Sequence, residues 1–319
     1  MNPAEHSTIR PQTWADFAGQ PQVVKSIKIA IQAAKSRNEP MEHTLLYGPP
    51  GLGKTTLAHI IATEMGKGIK ITSGPALTRA GDLASILTAL EPGDILFIDE
   101  IHRLNKTVEE ALYPAMEDFA IDLILGKGPA AKNLRLDLNP FTLIGATTQA
   151  GRISSPLRDR FGIIHRLRFY LPEELQGIIK NAAQKLKFSL DQESSLEIAK
   201  RSRGTARIAL KLLRRVRDFT LVEHNSTVSP QATRQSLEFY QVDEEGLDET
   251  DRKLLRSIIE QHNGGPVGLE TIAALISESV DTVSDLYEPF LLQSGFLAKT
   301  ARGRIATLKA YNHLKVMKS

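Results

Sequence analysis

The sequence predicts an α/β fold with a parallel sheet in its N-terminal half, helices after it and a small mixed domain at the end. Short apolar runs suited to buried strands alternate with helical patterns up to about residue 150. From about Pro172 the strand patterns stop and helical patterns follow one another. The last segment, from about Val242, combines three helical patterns with a short hairpin around Arg302-Gly303-Arg304.

The composition is that of an ordinary globular protein. Of its 319 residues, 41% are hydrophobic and 24% are charged, and the length suggests two or three domains. The net charge of +3 is small, so any binding to nucleic acid requires locally clustered basic residues. The chain has no cysteine and its histidines show no ligand-like pairing, which excludes disulfides and argues against structural zinc. Because neither a signal peptide nor an apolar run of membrane length is recognisable, we expect a cytoplasmic protein.

Residues 48–56 have the pattern of a loop that binds phosphate groups. Its fixed positions are occupied by Gly48, Gly53, Lys54 and Thr55. An apolar run at 43–47 precedes the loop and a helical pattern at 56–64 follows it. Glycines let backbone N–H groups turn toward phosphate oxygens, and the helix N-terminus adds partial positive charge. We expect Lys54 to reach the outer phosphates of a nucleotide and the Thr55 hydroxyl to bind Mg²⁺.

Two carboxylates directly follow a second buried strand. Residues 95–98 are apolar, and Asp99 and Glu100 come next. In an open α/β sheet, ligands bind at the C-terminal ends of the strands, so both acids are expected near the phosphate loop. Asp99 suits the Mg²⁺ shell, and Glu100 suits the polarisation of an attacking water.

Polar side chains further along the chain complete this candidate site. Another apolar run ends in Thr147 and Thr148, whose hydroxyls can contact the γ-phosphate or the water. Residues 155–162 contain two arginines that are either surface charge or arginine fingers directed at a neighbour's nucleotide. Arg207, at the start of a helical pattern, either belongs to a solvated basic face or reaches back to the phosphates.

Two segments outside the site predict interaction surfaces. Residues 120–138 alternate weakly and predict a β-hairpin, which either docks a partner or simply caps the sheet. The C-terminal pattern of three helices and a hairpin predicts a winged helix-turn-helix. Residues 296–319 contain no acid, and their basic residues are Lys299, Arg302, Arg304, Lys309, Lys315 and Lys318. This pattern favours DNA-backbone contact over protein binding.

The combined motifs resemble the AAA+ ATPases and, within them, the RuvB family of Holliday-junction branch-migration motors. The strings that carry the resemblance lie at 10–11 with 19–21, 48–56, 96–103, 112–118, 141–148, 155–162, 203–205, 212–218 and 264–268. The Asp-Glu-Ile-His string at 99–102 also occurs in helicases with two recombinase-like domains. We discount that class because the roughly 160 residues after the first domain predict helices and no second βαβ series. One departure from the RuvB pattern is Ala206, where that family usually has a proline that would stiffen the helix start before Arg207.

The resemblance implies a large AAA+ ATPase domain at 1–170, a helical lid at 171–242 and a winged-helix domain at 243–319. The implied cofactors are ATP and Mg²⁺. The residues implied in nucleotide binding are Ile9, Arg10, Gly51, Gly53, Lys54, Thr55, Thr56, Asp99, Glu117, Asp118, Phe119 and Tyr170, with Thr55 and Asp99 at the metal. The implied catalytic set is Glu100, the first sensor Thr148 (with Thr147 as the alternative), the trans-acting finger Arg160 and the second sensor Arg207. The implied DNA contacts are Lys299, Arg302 and Arg304.

The resemblance also implies partners and a mechanism. A hexameric ring would hydrolyse ATP to move duplex DNA through a four-way junction in recombination and repair. RuvA would dock on the 120–138 hairpin, and the RuvC resolvase would act on the same junction. The alternative is an AAA+ loader or scaffold in which ATP controls assembly. Hydrolysis that is stimulated by DNA and coupled to strand movement separates the two, and the hairpin favours the motor.

Overall fold

The computed structural model describes residues 9–125, 132–223 and 228–316. It divides into two compact units. The first comprises the chain up to Gly48 together with Leu52–Arg168, and the second comprises Pro49–Gly51 together with the chain from Phe169 onward. The domain boundaries given above, after residues 170 and 242, stay a prediction.

The first unit is an α/β domain. In chain order its elements are α1 (Pro21–Arg37), β1 (Thr44–Tyr47), α2 (Lys54–Met65), β2 (Ile69–Ser73), α3 (Ala80–Leu87), β3 (Ile95–Asp99), α4 (Lys106–Glu117), β4 (Ala120–Leu125), β5 (Lys132–Asp137), β6 (Thr142–Thr147), α5 (Ser155–Arg158) and β7 (Ile163–Arg166). Five strands form one parallel sheet in the order β2-β3-β6-β1-β7, which confirms the predicted fold class. The edge strand β7 was not predicted, because its four residues are half-buried or exposed and lack the apolar run of a central strand.

The central strand β6 is buried along its whole length, which matches its apolar sequence. The N-terminus of α4 is also set by sequence. The Asn105 side chain accepts the Val108 N–H at 3.0 Å and so caps its N-terminus. Apolar residues of α4 join the core of the first unit, namely Val108, Leu112, Ala115 and Met116. The pattern of residues 80–90 predicts a helix over that whole range, but the helix α3 ends at Leu87.

Strands β4 and β5 pair antiparallel, which confirms the predicted hairpin. Its base is packed, since Ile121 is buried and Leu123 and Leu136 lie partly buried against the core. Leu134 is 40% exposed, so the hairpin keeps an apolar side chain on its surface. The predicted Gly-Lys-Gly-Pro turn at 126–129 lies outside the described residues.

The second unit is mostly helical. Its elements are α6 (Pro172–Lys185), α7 (Gln192–Lys200), α8 (Ala206–Glu223), α9 (Pro230–Phe239), α10 (Glu249–His262), α11 (Leu269–Ile276), α12 (Val280–Thr282), a π-helical turn (Val283–Tyr287), α13 (Glu288–Gln293), β8 (Leu297–Thr300), β9 (Gly303–Ala306) and α14 (Leu308–Leu314). The sequence analysis missed α9, although Ser229 before Pro230 is an N-terminal capping signal: the Ser229 hydroxyl accepts the Ala232 N–H at 3.1 Å. No helix in the described part of the chain combines the length and apolarity needed to span a membrane.

The winged-helix fold is confirmed, with one correction to its core. The helical pattern after Ser279 predicts that Leu286 faces inward with Val283, but Leu286 is 48% exposed. It lies in the π-helical turn, whose wider winding shifts the following side chains relative to an α-helix. As a result Val283 and Leu291 are buried, and Leu286 faces solvent.

Arg203 joins the end of α7 to the start of α10 inside the second unit. Its side chain is 7% exposed, and its Nη2 lies 2.7 Å from Asp248 Oδ2 and 2.5 Å from Asp251 Oδ2. Its Nε donates to the Gly246 carbonyl at 2.9 Å. The guanidinium also lies 5.2 Å from the ring centre of Phe290. The buried Arg203 therefore binds two carboxylates and connects its own loop, before α8, to the loop before α10.

Asp251 should make this unit less stable as the pH rises from about 4 to about 7. Burial raises the pKa of Asp251 from 3.8 to about 7, against the opposing charge of Arg203. A raised carboxyl pKa means that the folded state binds the proton more tightly, so this stabilisation is lost on ionisation. Burial raises the pKa of Asp248, but the charge of Arg203 and hydrogen bonds lower it, and the net shift is downward. The stability that Asp248 contributes is therefore lost only as the pH falls below its unfolded pKa of 3.8, which is outside this window. Urea unfolding followed by circular dichroism should show a smaller loss across this window for Asp251→Asn than for the wild type.

The matched control is Glu260→Gln, at the exposed end of the same helix. It should keep the wild-type pH dependence. A wild-type slope in Asp251→Asn would contradict the assignment.

Candidate nucleotide site and basic wing

The candidate site is assembled by the order of strands in the sheet. β6 lies between β1 and β3, with Tyr47 beside Thr147 and Ile98 beside Gly145. Because the strands are parallel, their C-terminal ends lie at the same edge of the sheet. The Gly48 N–H, which opens the phosphate loop, donates to the Thr147 carbonyl at 3.2 Å. The loop, the acids after β3 and the threonines after β6 are therefore neighbours.

Gly48 and Gly53 of the phosphate loop have backbone conformations that disfavour other residues. Gly48 has φ 143°, and a Cβ there would lie 2.6 Å from the Leu167 carbonyl oxygen. Gly53 precedes α2 with φ 95°. Lys54 is 7% exposed, and its ammonium donates to the Gly48 carbonyl at 2.7 Å, which keeps the charge inside the loop. Thr55 and Thr56 lie half-buried in the first turn of α2.

Glu100 is held at the sheet edge by two neighbours, Thr148 and His102. Its Oε2 accepts the Thr148 hydroxyl at 3.1 Å and lies 3.4 Å from the Thr148 N–H. The same oxygen lies 3.2 Å from His102 Nδ1. Glu100 itself has the left-handed backbone value of φ 48°, which turns the chain sharply after β3. The carboxylate that is expected to activate water is thus in contact with the expected first sensor.

Thr147 has a different partner from Thr148. It is fully buried, and its hydroxyl oxygen lies 2.8 Å from His102 Nδ1 and accepts the Gln149 N–H at 2.9 Å. The contact with Glu100 therefore favours Thr148 as the sensor. His102, which the sequence analysis did not include in the site, joins both threonine and glutamate networks. Its signal was its place in the Asp-Glu-Ile-His string.

The donor set fits a magnesium ion that is held partly by phosphates. No group of three or more His, Cys, Asp or Glu residues that could hold a metal occurs within 9–125, 132–223 or 228–316. Mg²⁺ commonly uses one or two protein oxygens together with substrate phosphates and water. Thr55, which opens α2, and Asp99, whose Oδ1 accepts the Glu100 N–H at 3.0 Å, supply such oxygens.

Arg160 lies beside the C-terminal half of α4 in the first unit. Its Nη1 donates to the Pro156 carbonyl at 2.7 Å, and its Nη2 lies 3.2 Å from Glu117 Oε2. The guanidinium lies over the Tyr113 ring, 4.3 Å from its centre. These three contacts fix the direction of the guanidinium. The Arg160 side chain is 23% exposed, so the charge is still accessible from solvent.

The three residues at the end of α4 have separate surroundings. Glu117 is paired with Arg160, and Asp118 forms an ion pair with Arg135 at 2.9 Å. Phe119, at φ 49°, packs edge-on against the rings of His43 and Phe141.

His43, which the sequence analysis did not single out, fixes the end of α4 to the sheet. Its Nδ1 accepts the Leu143 N–H at 2.9 Å, so Nε2 carries the proton and donates to the Met116 carbonyl at 3.0 Å. Burial lowers the pKa of His43 more than that bond raises it, which favours this neutral form.

The residues expected near the base and sugar lie in both units. In the first unit, Ile9 is 6% exposed and Arg10 is half-buried. Burial, and then the charge of Arg10, lower the pKa of His59. In the second unit, Tyr170 is 5% exposed and its N–H donates to the Gly204 carbonyl at 2.8 Å.

Arg207 is exposed, and its N–H donates to the Gly51 carbonyl at 3.3 Å, within the second unit. Thr205 caps this helix by accepting the Ile208 N–H at 3.3 Å. The helix therefore begins at Ala206 without the usual proline. This contact also explains the glycine at position 51, since a Cβ there would lie 2.8 Å from the Arg207 Cβ.

The β8–β9 hairpin, residues 297–306, forms the wing of the winged helix and is called the basic wing. It presents two of its three predicted DNA-binding cations to solvent. Lys299 and Arg302 are exposed. Arg304 instead pairs with Glu288, with its Nε 2.6 Å from Oε1 and its Nη2 3.2 Å from Oε2, and its side chain is 14% exposed. Lys299 and Arg304 are cross-strand neighbours in the β8–β9 pair. Arg304 therefore ties the wing to α13, and this engagement reduces its availability to a phosphate.

Family models match the whole described architecture. The model for the Holliday junction DNA helicase RuvB P-loop domain matches residues 9–167, that for the RuvB AAA lid domain residues 170–243, and that for the RuvB C-terminal winged helix domain residues 244–315. The chain belongs to the RuvB family.

Solved RuvB structures agree with this assignment. The structure described as the Thermotoga maritima RuvB Holliday junction branch migration motor is 52% identical, with a TM-score of 0.89 over 97% of this chain and 99% of that one. An alanine-to-serine mutant of that RuvB is 53% identical, with a TM-score of 0.90 over 97% and 99%. Both the predicted resemblance and the predicted fold are thereby confirmed, and the family is one of P-loop ATPases.

Lys54→Ala and Glu100→Gln should separate nucleotide binding from turnover. Loss of the Lys54 ammonium should weaken ATP binding by about 10–100-fold, the range for a charge-assisted contact. Glu100→Gln keeps the shape but loses the basic oxygen, so ATP should still bind while hydrolysis falls by about 10²–10⁴-fold. Nucleotide titration and steady-state phosphate release measure the two effects. Tight binding by the lysine variant, or wild-type turnover by the glutamine variant, would refute the respective role.

Proposed function

We propose that the chain is an ATP-dependent motor that drives branch migration of Holliday junctions in recombination and repair, acting as a hexameric ring in the cytoplasm. The observation that supports this best is the contact of Glu100 with Thr148 at the sheet edge beside the phosphate loop, in a chain of the RuvB family. A motor needs a sensor coupled to the residue that starts hydrolysis, and this hydrogen bond supports Thr148 and Glu100 as that pair.

The proposed chemistry is hydrolysis of the γ-phosphate of ATP. Glu100 accepts a proton as the water oxygen bonds to the γ-phosphorus and the bond to the bridging oxygen breaks. Lys54 and the loop N–H groups hold the phosphates, and Thr56 supports them from the start of α2. Thr55 and Asp99 would hold Mg²⁺, which supplies neutralising charge to the phosphate oxygens. Thr148 orients Glu100, and Arg207 is the proposed second sensor.

The remaining nucleotide-binding residues are proposed to contact the base, the sugar or a neighbouring subunit's nucleotide. Ile9, Arg10 and Tyr170 would surround the base and sugar, with Gly51 and Gly53 giving the backbone its close approach. Glu117, Asp118 and Phe119 would lie near a neighbouring subunit's nucleotide. The pairing of Glu117 with Arg160 supports this, because it places both residues on one surface of the first unit.

The proposed partners are assigned to two surfaces, the β4–β5 hairpin and the wing. RuvA would dock on the β4–β5 hairpin, where Leu134 gives an exposed apolar contact. DNA would contact Lys299 and Arg302 on the wing, with Arg304 contributing by fixing the wing's position. RuvC would act on the junction that the ring remodels.

A branch-migration assay on a synthetic four-way junction, with and without RuvA, tests this function. The motor requires ATP-dependent strand exchange that is stopped by Glu100→Gln. Assembly on DNA with ATP but without strand movement would instead indicate a loader or scaffold.

Arg160→Ala should keep ATP binding, and its hydrolysis rate should fall by about 10³–10⁵-fold, the range for an arginine finger. Mixing it with Glu100→Gln should restore activity, because an intact Arg160→Ala pocket then meets an intact finger. The measurement is ATPase rate against mixing ratio in rings whose co-assembly has been verified. A mixture that never exceeds the sum of its parents would place the action of Arg160 within its own subunit.

Lys299→Ala with Arg302→Ala should weaken DNA binding and reduce the slope of log affinity against log salt by about two, one for each phosphate that the wing no longer binds. The matched control is Lys35→Ala with Lys106→Ala, which removes the same charge from exposed positions of the first unit. An unchanged slope in the wing variant would exclude the wing as a DNA surface.

A further inference from the structure

Three side chains spaced four residues apart on α4 share one face of the helix: Glu109, Tyr113 and Glu117. The helix that carries them is held in place by core packing and by a hydrogen bond near its C-terminus. Its apolar residues are part of the core, and His43 binds the Met116 carbonyl near its C-terminus. The three side chains therefore project from a rigid support, which we call the α4 stripe.

Two members of the α4 stripe contact the Arg160 guanidinium. Tyr113 lies under it at 4.3 Å, and Glu117 pairs with Nη2 at 3.2 Å. A planar guanidinium that stacks on a ring and pairs at one edge is fixed in both tilt and direction. Pro156 fixes the other terminal nitrogen through its carbonyl.

Glu109, the third member, binds both the ring and the segment that leads to Arg160. Its Oε1 accepts the Tyr113 hydroxyl at 2.6 Å, and it also accepts the Ser154 hydroxyl. Ser154 in turn caps α5 by accepting the Leu157 N–H at 3.2 Å. Burial, and then the bond to Glu109, raise the pKa of Tyr113, in keeping with a phenol that donates to that carboxylate.

We propose that Glu109 and Tyr113 are positioning residues for Arg160: Tyr113 supports the guanidinium, and Glu109 locks that ring to the cap of the segment on which Arg160 sits. The inference rests on the proposed role of Arg160 as a finger in a neighbour's pocket. A finger acts only if its charge reaches the γ-phosphate accurately, and misplacement of a catalytic group by about 1 Å can cost about 10²-fold in rate.

A purely structural role for the stripe makes a different prediction. If Tyr113 only stabilised the fold, its loss would impair the subunit's own pocket as well as the finger that it donates. Complementation separates the two cases, because a positioning defect belongs to the donated finger alone. A subunit with an intact pocket and a misplaced finger is repaired when its neighbour supplies a correct one.

The experiment measures ATPase of the full chain with Tyr113→Leu, alone and mixed with Glu100→Gln. Tyr113→Leu alone should lose about 10–100-fold of the rate. Its affinity for a fluorescent ATP analogue should stay within about threefold of wild type, since the pocket of the same subunit is not altered. The mixture should exceed the sum of the two parents. Tyr113→Phe, which keeps the ring, should regain most of the activity lost in Tyr113→Leu.

A second variant keeps the test valid if Tyr113→Leu does not fold. Glu109→Gln retains the shape and weakens the charge-assisted bonds, so it should lose about 3–10-fold of the rate and be rescued in the same mixture. Its matched control is Glu110→Gln, the adjacent exposed carboxylate that pairs only loosely with Lys106 at 3.8 Å, which should keep wild-type activity.

The outcomes distinguish the two layers of the proposal. If Arg160→Ala is rescued by Glu100→Gln but Tyr113→Leu and Glu109→Gln are not, the positioning role is wrong while the finger stands. Wild-type ATPase in both stripe variants also overturns the positioning role. If Arg160→Ala itself is not rescued, the trans-acting finger fails, and the inference that rests on it fails too.

Discussion

The placement of β6 between β1 and β3 is the constraint on which the candidate site depends. Parallel pairing on both sides fixes the level at which each strand ends, so that Gly48, Asp99 and Thr147 arrive at one edge. The strand is buried throughout and is therefore fixed in register, since a slip would place its apolar residues against different neighbours. The Gly48–Thr147 backbone bond then connects the start of the loop directly to the end of β6, one residue before the proposed sensor Thr148.

Around this edge, the site is organised through hydrogen bonds that join functional groups to one another. Glu100 touches Thr148 and His102, and His102 touches Thr147. A change in the position of the Thr148 hydroxyl therefore reaches the carboxylate through one contact, and a change at Thr147 reaches it through His102. This arrangement suits an ATPase whose turnover responds to the state of the bound nucleotide, because the proposed sensor Thr148 is bonded to the proposed activating group Glu100.

Arg203 and Arg304 each bind one buried carboxylate, Asp251 and Glu288 respectively, whereas Arg160, the proposed finger, binds a more exposed one. Arg203 gathers two acids and two loops within the second unit, and Arg304 holds the wing on α13. Arg160 differs because its carboxylate partner, Glu117, has a 56% exposed side chain. A partly exposed ion pair is weak and exchangeable, whereas a buried one is costly to break. The chain thus uses enclosed pairs for architecture and an accessible pair at the surface where a neighbour is proposed to bind.

The sequence by itself determined the elements whose signal is local. The phosphate loop, the acids after β3, the hairpin β4–β5 and the winged helix were all predictable, because apolar period, glycine spacing and charge clustering lie within short windows. The edge strand β7 and the helix α9 were missed, since a half-buried strand and a short polar helix lack such a period. Only the tertiary structure decided which threonine meets Glu100, that Arg304 is held by Glu288, and that Leu286 faces solvent within a π-helical turn. Each of these depends on contacts between residues distant in the chain or on a local change of helical winding, and no short stretch of sequence encodes either.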